Sequence, residues 1–266
     1  MFGTVQHWEW VSVAFFAYAL VCALALRELR VAARSWCVTL SLLGAIVAAL
    51  SARLRETPVL HDWVLPPVVL FLAYWISGLL FRAPSARVEA FLFKVDGILR
   101  IRRIASTAAR PAAEALEFAY AAIYALIPIA LVIHYSVTPS ADFDPDRFWT
   151  VILATDFICF GCLRWIQSRP PRSLEVGEPW RSSIRRFNQR VVDSMSIQFN
   201  TCPSGHAAEA LAAALLVSNA APPLVVAMLF AALAVSAGAV CGRYHYAIDA
   251  ISGWAVALVV WVVIWR

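Results

Sequence analysis

Charge is scarce in this sequence, and lysine scarcer still. Charged residues make up 15% of the 266 positions against 62% hydrophobic, and the mean hydropathy is +0.73. A soluble domain of this length has no use for so much apolar surface, so long runs with hardly a charge exclude that class and call for a bilayer. No Lys or Arg precedes the first apolar run, and Glu9 stands where a basic region belongs, so a cleaved signal peptide is not expected there. Internal repeats and low-complexity tracts are missing. Six cysteines are present, Cys22, Cys37, Cys159, Cys162, Cys202 and Cys241. Most lie inside apolar runs, and the CxxC of Cys159 and Cys162 has no second pair, so neither disulfides nor a metal centre are expected.

What is there is a set of eight apolar stretches, near 9–26, 36–53, 64–81, 113–134, 148–167, 206–219, 222–241 and 247–265. Backbone groups in lipid must pair within their own segment, which predicts an all-α polytopic bundle. Between the stretches the basic residues are unevenly spread, and Lys94 is the one lysine among 22 basic residues. The segment 82–112 carries six arginines beside Lys94, with Val88, Phe91, Leu92, Val95, Ile98 and Leu99 at helical spacing. It reads as an amphipathic helix lying on the membrane surface. The segment 168–204 is equally arginine-rich, and 179–197 within it reads as a second interfacial helix. The connector at 135–147 is acidic, with Asp142, Asp144 and Asp146. If all eight stretches cross, the basic residues crowd one face. His7, His61 and His134 fall near span ends and read as interfacial.

Three groups of polar residues break the apolar pattern. In Cys202-Pro203-Ser204-Gly205-His206 the serine is a good N-cap, and the glycine lets a ligand approach the backbone. The first helical amides then converge on a point that the helix dipole makes positive, a seat for a phosphate oxygen, with His206 beside it for proton transfer. A plain capped helix with an interfacial histidine fits the same residues. In "GRYHYAID", His245 and Asp249 lie four apart, so that a carboxylate can hold one ring nitrogen and leave the other free to attack. A structural His–Asp bond fits as well. Arg169, before a proline pair, offers a planar fork for phosphate, or anchors the span end. The spans bring all three groups to the same side of the membrane.

Arg169-Pro170, Pro203-Ser204-Gly205-His206 and His245 with Asp249, in that order, resemble the three signature motifs of the phosphatidic acid phosphatase type 2 superfamily, which includes lipid phosphate phosphatases and vanadium haloperoxidases. The resemblance covers 64–266 as a catalytic membrane domain and leaves 1–55 as two additional helices. It implies that His245 attacks phosphorus, Asp249 orients it, His206 protonates the leaving alkoxide, and Arg169, Ser204 and Gly205 hold the phosphate oxygens. Two departures stand out: the first motif's lysine position is Cys162, and the third motif's arginine position is Ala239. Arg243 stands two residues before His245 instead, and "RYHYAID" is similar to the sphingomyelin synthase and inositol phosphorylceramide synthase branch. Arg164 and Arg172 are further sources of charge.

The resemblance therefore implies a phosphatase or phosphotransferase acting on a phosphorylated membrane lipid through a phosphohistidine. The alternative is a non-catalytic lipid-phosphate-binding protein or transporter on the same scaffold. No cofactor is expected, and vanadate is expected to inhibit. The expected partners are the lipid substrate and the bilayer, without nucleic acid, and the protein is expected in the cell (inner) membrane. Most members of the resembled family carry the site on the outer face, whereas Arg27, Arg30, Arg34 and the 82–112 cluster place it in the cytoplasm by the positive-inside rule. Sidedness, the lipid and the oligomeric state are left open by the sequence.

Overall fold

A computed structural model describes residues 5–139 and 143–265. Among these the chain is helical, with no strand beyond an isolated antiparallel bridge between Ser168 and Asn200. The helices are α1 (His7–Ala25), α2 (Val31–Leu50), α3 (Leu65–Leu79), α4 (Ala86–Ile98), α5 (Ile101–Ser106), α6 (Arg110–Ala121), α7 (Ile123–Val137), α8 (Pro145–Cys162), α9 (Ser183–Met195), α10 (Gly205–Leu216), α11 (Pro222–Cys241) and α12 (Ala247–Trp265). Their starts follow local chemistry. Gln6 and Glu9 form a reciprocal capping box on α1, Asp144 caps α8 ahead of Pro145, and a proline pair opens α11.

Five segments are long and apolar enough to cross a membrane: His7–Ala25, Val31–Leu54, Val59–Leu79, Pro222–Cys241 and Ala247–Trp265. The expected span at 113–134 is a pair, α6 and α7, bent by 62°. Two other expected spans fall short of that standard. α8 carries Asp146, Arg147 and Asp156. α10 has 12 residues, about 18 Å of helix against a hydrocarbon core of about 30 Å. It is sheathed by neighbours instead, with most of its alanines fully buried. The count of eight spans is therefore not established by length and composition.

α8 is buried along most of its length and forms the axis of the bundle. α1 lies along it: Phe15 stacks on Phe157 at 4.5 Å, the Tyr18 hydroxyl donates to the Gly161 carbonyl at 2.9 Å, and Asp146 accepts from the backbone of His7 and Trp8. The N-terminal helices thus pack against the rest along a whole face. α10 and α12 meet closely at Gly253, where a Cβ would stand 2.5 Å from the Ser204 carbonyl oxygen. Only a glycine allows that crossing.

The arginine-rich segment 82–112 is broken into α4 and α5 and runs on into α6. α4 turns Glu89, Leu92 and Asp96 inward and leaves Phe91 and Ile98 exposed. The second expected surface helix is α9. His7 is exposed, whereas His61 and His134 are buried against neighbouring helices. Asp142 of the acidic connector and Arg266 lie outside the described residues. All six cysteines are free thiols.

Candidate active site

The starts of α10 and α12 are tied together by their backbones. The Ser204 N–H donates to the Asp249 carbonyl at 2.9 Å, and the Ser204 hydroxyl caps α10 by accepting from the Ala207 N–H. α12 is capped from two sides: Asp249 Oδ2 accepts from the Tyr246 N–H at 2.8 Å, and Asp96 of α4 accepts from the Ala247 N–H at 2.9 Å. Burial pushes the Asp96 carboxyl up, while those backbone and arginine donors pull it down. The two helix starts therefore hold His206 and His245 side by side, with ring centroids 5.8 Å apart.

The surroundings of His245 assign its protons. The Nδ2 of Asn200 donates to the Ser168 hydroxyl at 3.0 Å, so the Asn200 Oδ1, 3.1 Å from His245 Nδ1, is an acceptor. Nδ1 therefore carries the hydrogen, and Nε2 keeps its lone pair. Asp249 Oδ2 lies 3.6 Å from the same Nδ1, beyond a good hydrogen bond. The expected acid–histidine pair is thus loose: Asn200 makes the hydrogen bond to the ring, while the fully buried Asp249 carboxyl is engaged by the Tyr246 N–H. Among the described residues none bonds to Nε2, and His245 borders a cavity.

His206 borders the same cavity and is held by aromatic rings. Tyr120 stacks on it at 5.3 Å, Tyr124 meets it edge-on at 6.2 Å, and Tyr244 stacks on Tyr120 at 4.1 Å. The stack is fixed from behind by Glu117, which accepts from the Tyr244 hydroxyl, Trp180 Nε1, Arg185 Nη1 and Asn188 Nδ2, all within 2.9 Å. Burial, with His245 and Arg172 close by, pushes the His206 imidazole down from its usual range to about 3. Arg172 places its guanidinium 5.7 Å from the Tyr244 ring, also on the cavity wall, and its backbone N–H donates to the Arg243 carbonyl at 2.9 Å.

The remaining arginines are placed elsewhere. Arg169 makes a bidentate pair with Glu89 at 2.9–3.0 Å, on a side chain 47% exposed, and that guanidinium holds the Glu89 carboxyl below its usual range. Arg243, in the left-handed region at φ 63°, is buried between Asp96 and Glu175 with contacts of 2.6 Å. Its strained backbone is held by those two acids. Arg164 lies over the Trp165 ring. Among the described residues on the cavity wall, Arg172 is the arginine. Both Arg169 and Arg243 serve as clamps, because each already has its negative partner. Gly205 does border the cavity; a Cβ there would stand 3.1 Å from Phe160 and 3.2 Å from Asp156 Oδ1.

The cavity measures about 460 Å³. Its polar end holds His206, His245 and Arg172, and its wall runs along α3 from Trp75 back to Pro67, about 12 Å of helix, and on to Trp63 just before it. Phe71, Trp75 and Tyr124 on its rim are about half exposed on the bundle surface. An apolar chain can lie in it with a phosphoryl group at the histidines. Sequence reading missed Asn200, Tyr120 and Glu117, which belong to no motif and reach the site by the return of distant segments, and gave no role to Tyr244 beside His245. A family model described as the PAP2 superfamily matches residues 89–263. No curated protein and no solved structure gives a match.

Proposed function

The chain belongs to the PAP2 superfamily, that of the phosphatidic acid phosphatases type 2, and from that premise we propose that it transfers a phosphoryl group from a membrane lipid through His245. The observation that carries this reading is the His206–His245 pair, 5.8 Å apart at the polar end of an apolar cavity, with Nδ1 of His245 tied and Nε2 untied. In the first step the Nε2 lone pair forms a bond to phosphorus as the ester P–O bond breaks. His206, protonated once the anionic phosphate is seated against it, gives its proton to the departing alkoxide. Asn200 and Asp249 steady the positive charge that appears on the His245 ring, and Arg172 with the first amides of α10 balances the phosphoryl oxygens. In the second step His206 takes a proton from the incoming hydroxyl, which attacks phosphorus and frees His245. Water as acceptor gives a phosphatase, and a lipid alcohol gives a transferase. No cofactor enters these steps. Vanadate, as a pentavalent mimic of phosphorus, should compete for the same seat.

The neutralised state of Arg169 and Arg243 favours a second reading, a lipid-phosphate-binding protein without turnover. One experiment separates the two. Purified protein in detergent is given a panel of phosphorylated lipids, with and without an alcohol lipid, and free phosphate and new phospholipid are measured beside His245→Ala. We expect the variant to lose at least about a hundredfold in turnover. Release that survives the substitution removes His245 from the chemistry. Binding of a lipid phosphate without release of product by the wild type supports the second reading. The cell inner membrane as its place is part of this proposal, and the face that bears the site is set by labelling, from either side, a cysteine placed in the 168–204 segment.

A further inference from the structure

Two acids lie in the cavity that the steps above do not use. Asp156 of α8 is fully buried, borders the cavity, and has both carboxyl oxygens unpartnered. Glu209 of α10 borders the same space and is its electrostatic neighbour. Among the described residues no hydrogen-bond donor reaches either carboxyl. Glu209 lies three residues past His206 on the same helix face, about 4.5 Å further into the bundle. Asp156 Oδ1 approaches the backbone of Gly205, immediately before His206. The groups on the wall able to carry positive charge, Arg172, His206 and His245, are all gathered at the phosphoryl end.

An intramembrane acid is costly unless something answers it, and here two share one apolar chamber. A structural pair would be expected to meet a serine, an amide or an arginine of the fold, as Glu9 and Glu117 do elsewhere in this molecule. Asp156 and Glu209 border the cavity instead. The space they face is where the first few bonds of a lipid would pass once its phosphate is seated between the histidines. Ester groups at that position offer only acceptors, which carboxyls answer poorly. An ammonium group offers charge and several donors.

We propose that Asp156 and Glu209 form a cation subsite that selects lipid phosphates bearing an ammonium group a few bonds from the phosphoester. The assignment rests on the phosphoryl-transfer reading of the histidine pair, and it names the substrate class of that same site. The positive charge of the ligand answers the two acids, and its phosphate takes the histidine end, so a zwitterionic lipid head matches the cavity's division of charge.

The test compares a long-chain 2-aminoalkyl phosphate with its N-acetyl derivative, which keeps the shape and loses the charge, and with a diacylglycerol phosphate. We expect kcat/KM of the wild type to favour the free amine by about tenfold or more. In Asp156→Asn and in Glu209→Gln that ratio falls toward unity. Equal values for amine and N-acetyl compound in the wild type overturn the proposal without any variant. Variants that fold, as judged by elution and melting, and keep the full ratio overturn it too. A second readout does not depend on turnover: a long-chain primary amine without phosphate should raise the melting temperature of the wild type more than the matching alcohol does, and not that of Asp156→Asn. If no lipid is hydrolysed or transferred but the amine still stabilises selectively, the phosphoryl-transfer reading fails and the cation subsite stands. If turnover depends on His245 but neither readout distinguishes the amine, the cation subsite fails alone.

Discussion

His61 and His245 are built from similar parts. Each is buried, each has a carboxylate close to a ring nitrogen, and each lies at a junction of helices. They sit at opposite ends of the bundle, since His61 leads into α3 beside the start of α1, whereas His245 follows the end of α11. Their surroundings differ in one respect. Both nitrogens of His61 are engaged, Nδ1 with Asp62 at 2.5 Å and Nε2 with Glu9 at 3.3 Å. Glu9 is itself filled by the Ser51 hydroxyl, Arg55 and the Gln6 N–H. At His245 one nitrogen is tied and the other looks into a cavity. A cluster whose ring nitrogens are both engaged holds helices together, while one with a lone pair left over beside a void can react. The kinds of residue in a cluster do not distinguish the two. The count of unmet bonds does.

The contrast is broken most directly by removing each ring. His245→Ala should abolish at least about a hundredfold of turnover per folded molecule, and His61→Ala should lower the melting temperature while leaving turnover per folded molecule unchanged. Both follow from one assay on monodisperse protein, and a comparable kinetic loss in the two variants would dissolve the distinction. The arginines sharpen it next. Arg172→Ala removes the guanidinium on the cavity wall and should cost about a hundredfold in kcat/KM, whereas Arg243→Ala should show itself first as poor folding, since it strands Asp96 and Glu175. Asn200→Ala comes third. It frees the ring to take the other tautomer, and about a tenfold fall in kcat is expected, with KM little moved.

The helical bundle, five of its spans and the three polar groups were legible because they depend on local pattern. Apolar length marks a span, and Ser204-Gly205-His206 marks a capped start whatever surrounds it. The orientation of the arginines was not legible. Arg169 and Arg243 stand at sequence positions suited to phosphate, but their partners, Glu89, Asp96 and Glu175, are set by the way α4 and the 168–204 segment fold back. α4 displays acids inward, and nothing in its spacing tells which arginine each will meet. The same holds for Asn200, brought to His245 by the bridge to Ser168. The bend at 122 and the shortness of α10 were hidden for a related reason: an alanine-rich stretch reads as a span until its neighbours show that protein, not lipid, covers it. The cavity wall on α3 lies ahead of the matched residues 89–263, so the chain that surrounds a substrate's tail is drawn partly from outside the family's shared segment.

Glu9 tests the closed cluster from the acid side. Glu9→Gln leaves His61 and Arg55 without their shared carboxylate and should destabilise by about 3 kcal/mol, read as a fall in melting temperature with turnover per folded molecule intact. A kinetic effect instead would mean that the far end of the bundle shapes the cavity.

The smallest effect is expected at Glu89, and it carries the most information about Arg169. The Arg169 guanidinium lowers the Glu89 carboxyl, so the pair's contribution to stability is complete above the ordinary carboxylate range and disappears as pH falls through the lowered folded value. The melting temperatures of wild type and Glu89→Gln should therefore differ slightly and constantly down to about pH 5, and converge below it. Exposure of the arginine keeps the difference small, because water competes for both charges. The substitution also releases the arginine fork. Since that fork lies off the cavity wall, KM for a lipid phosphate should stay within about twofold. A clear drop in KM would show that the freed guanidinium swings to the phosphate, and would turn Arg169 from a clamp into a held reserve of charge beside the histidines.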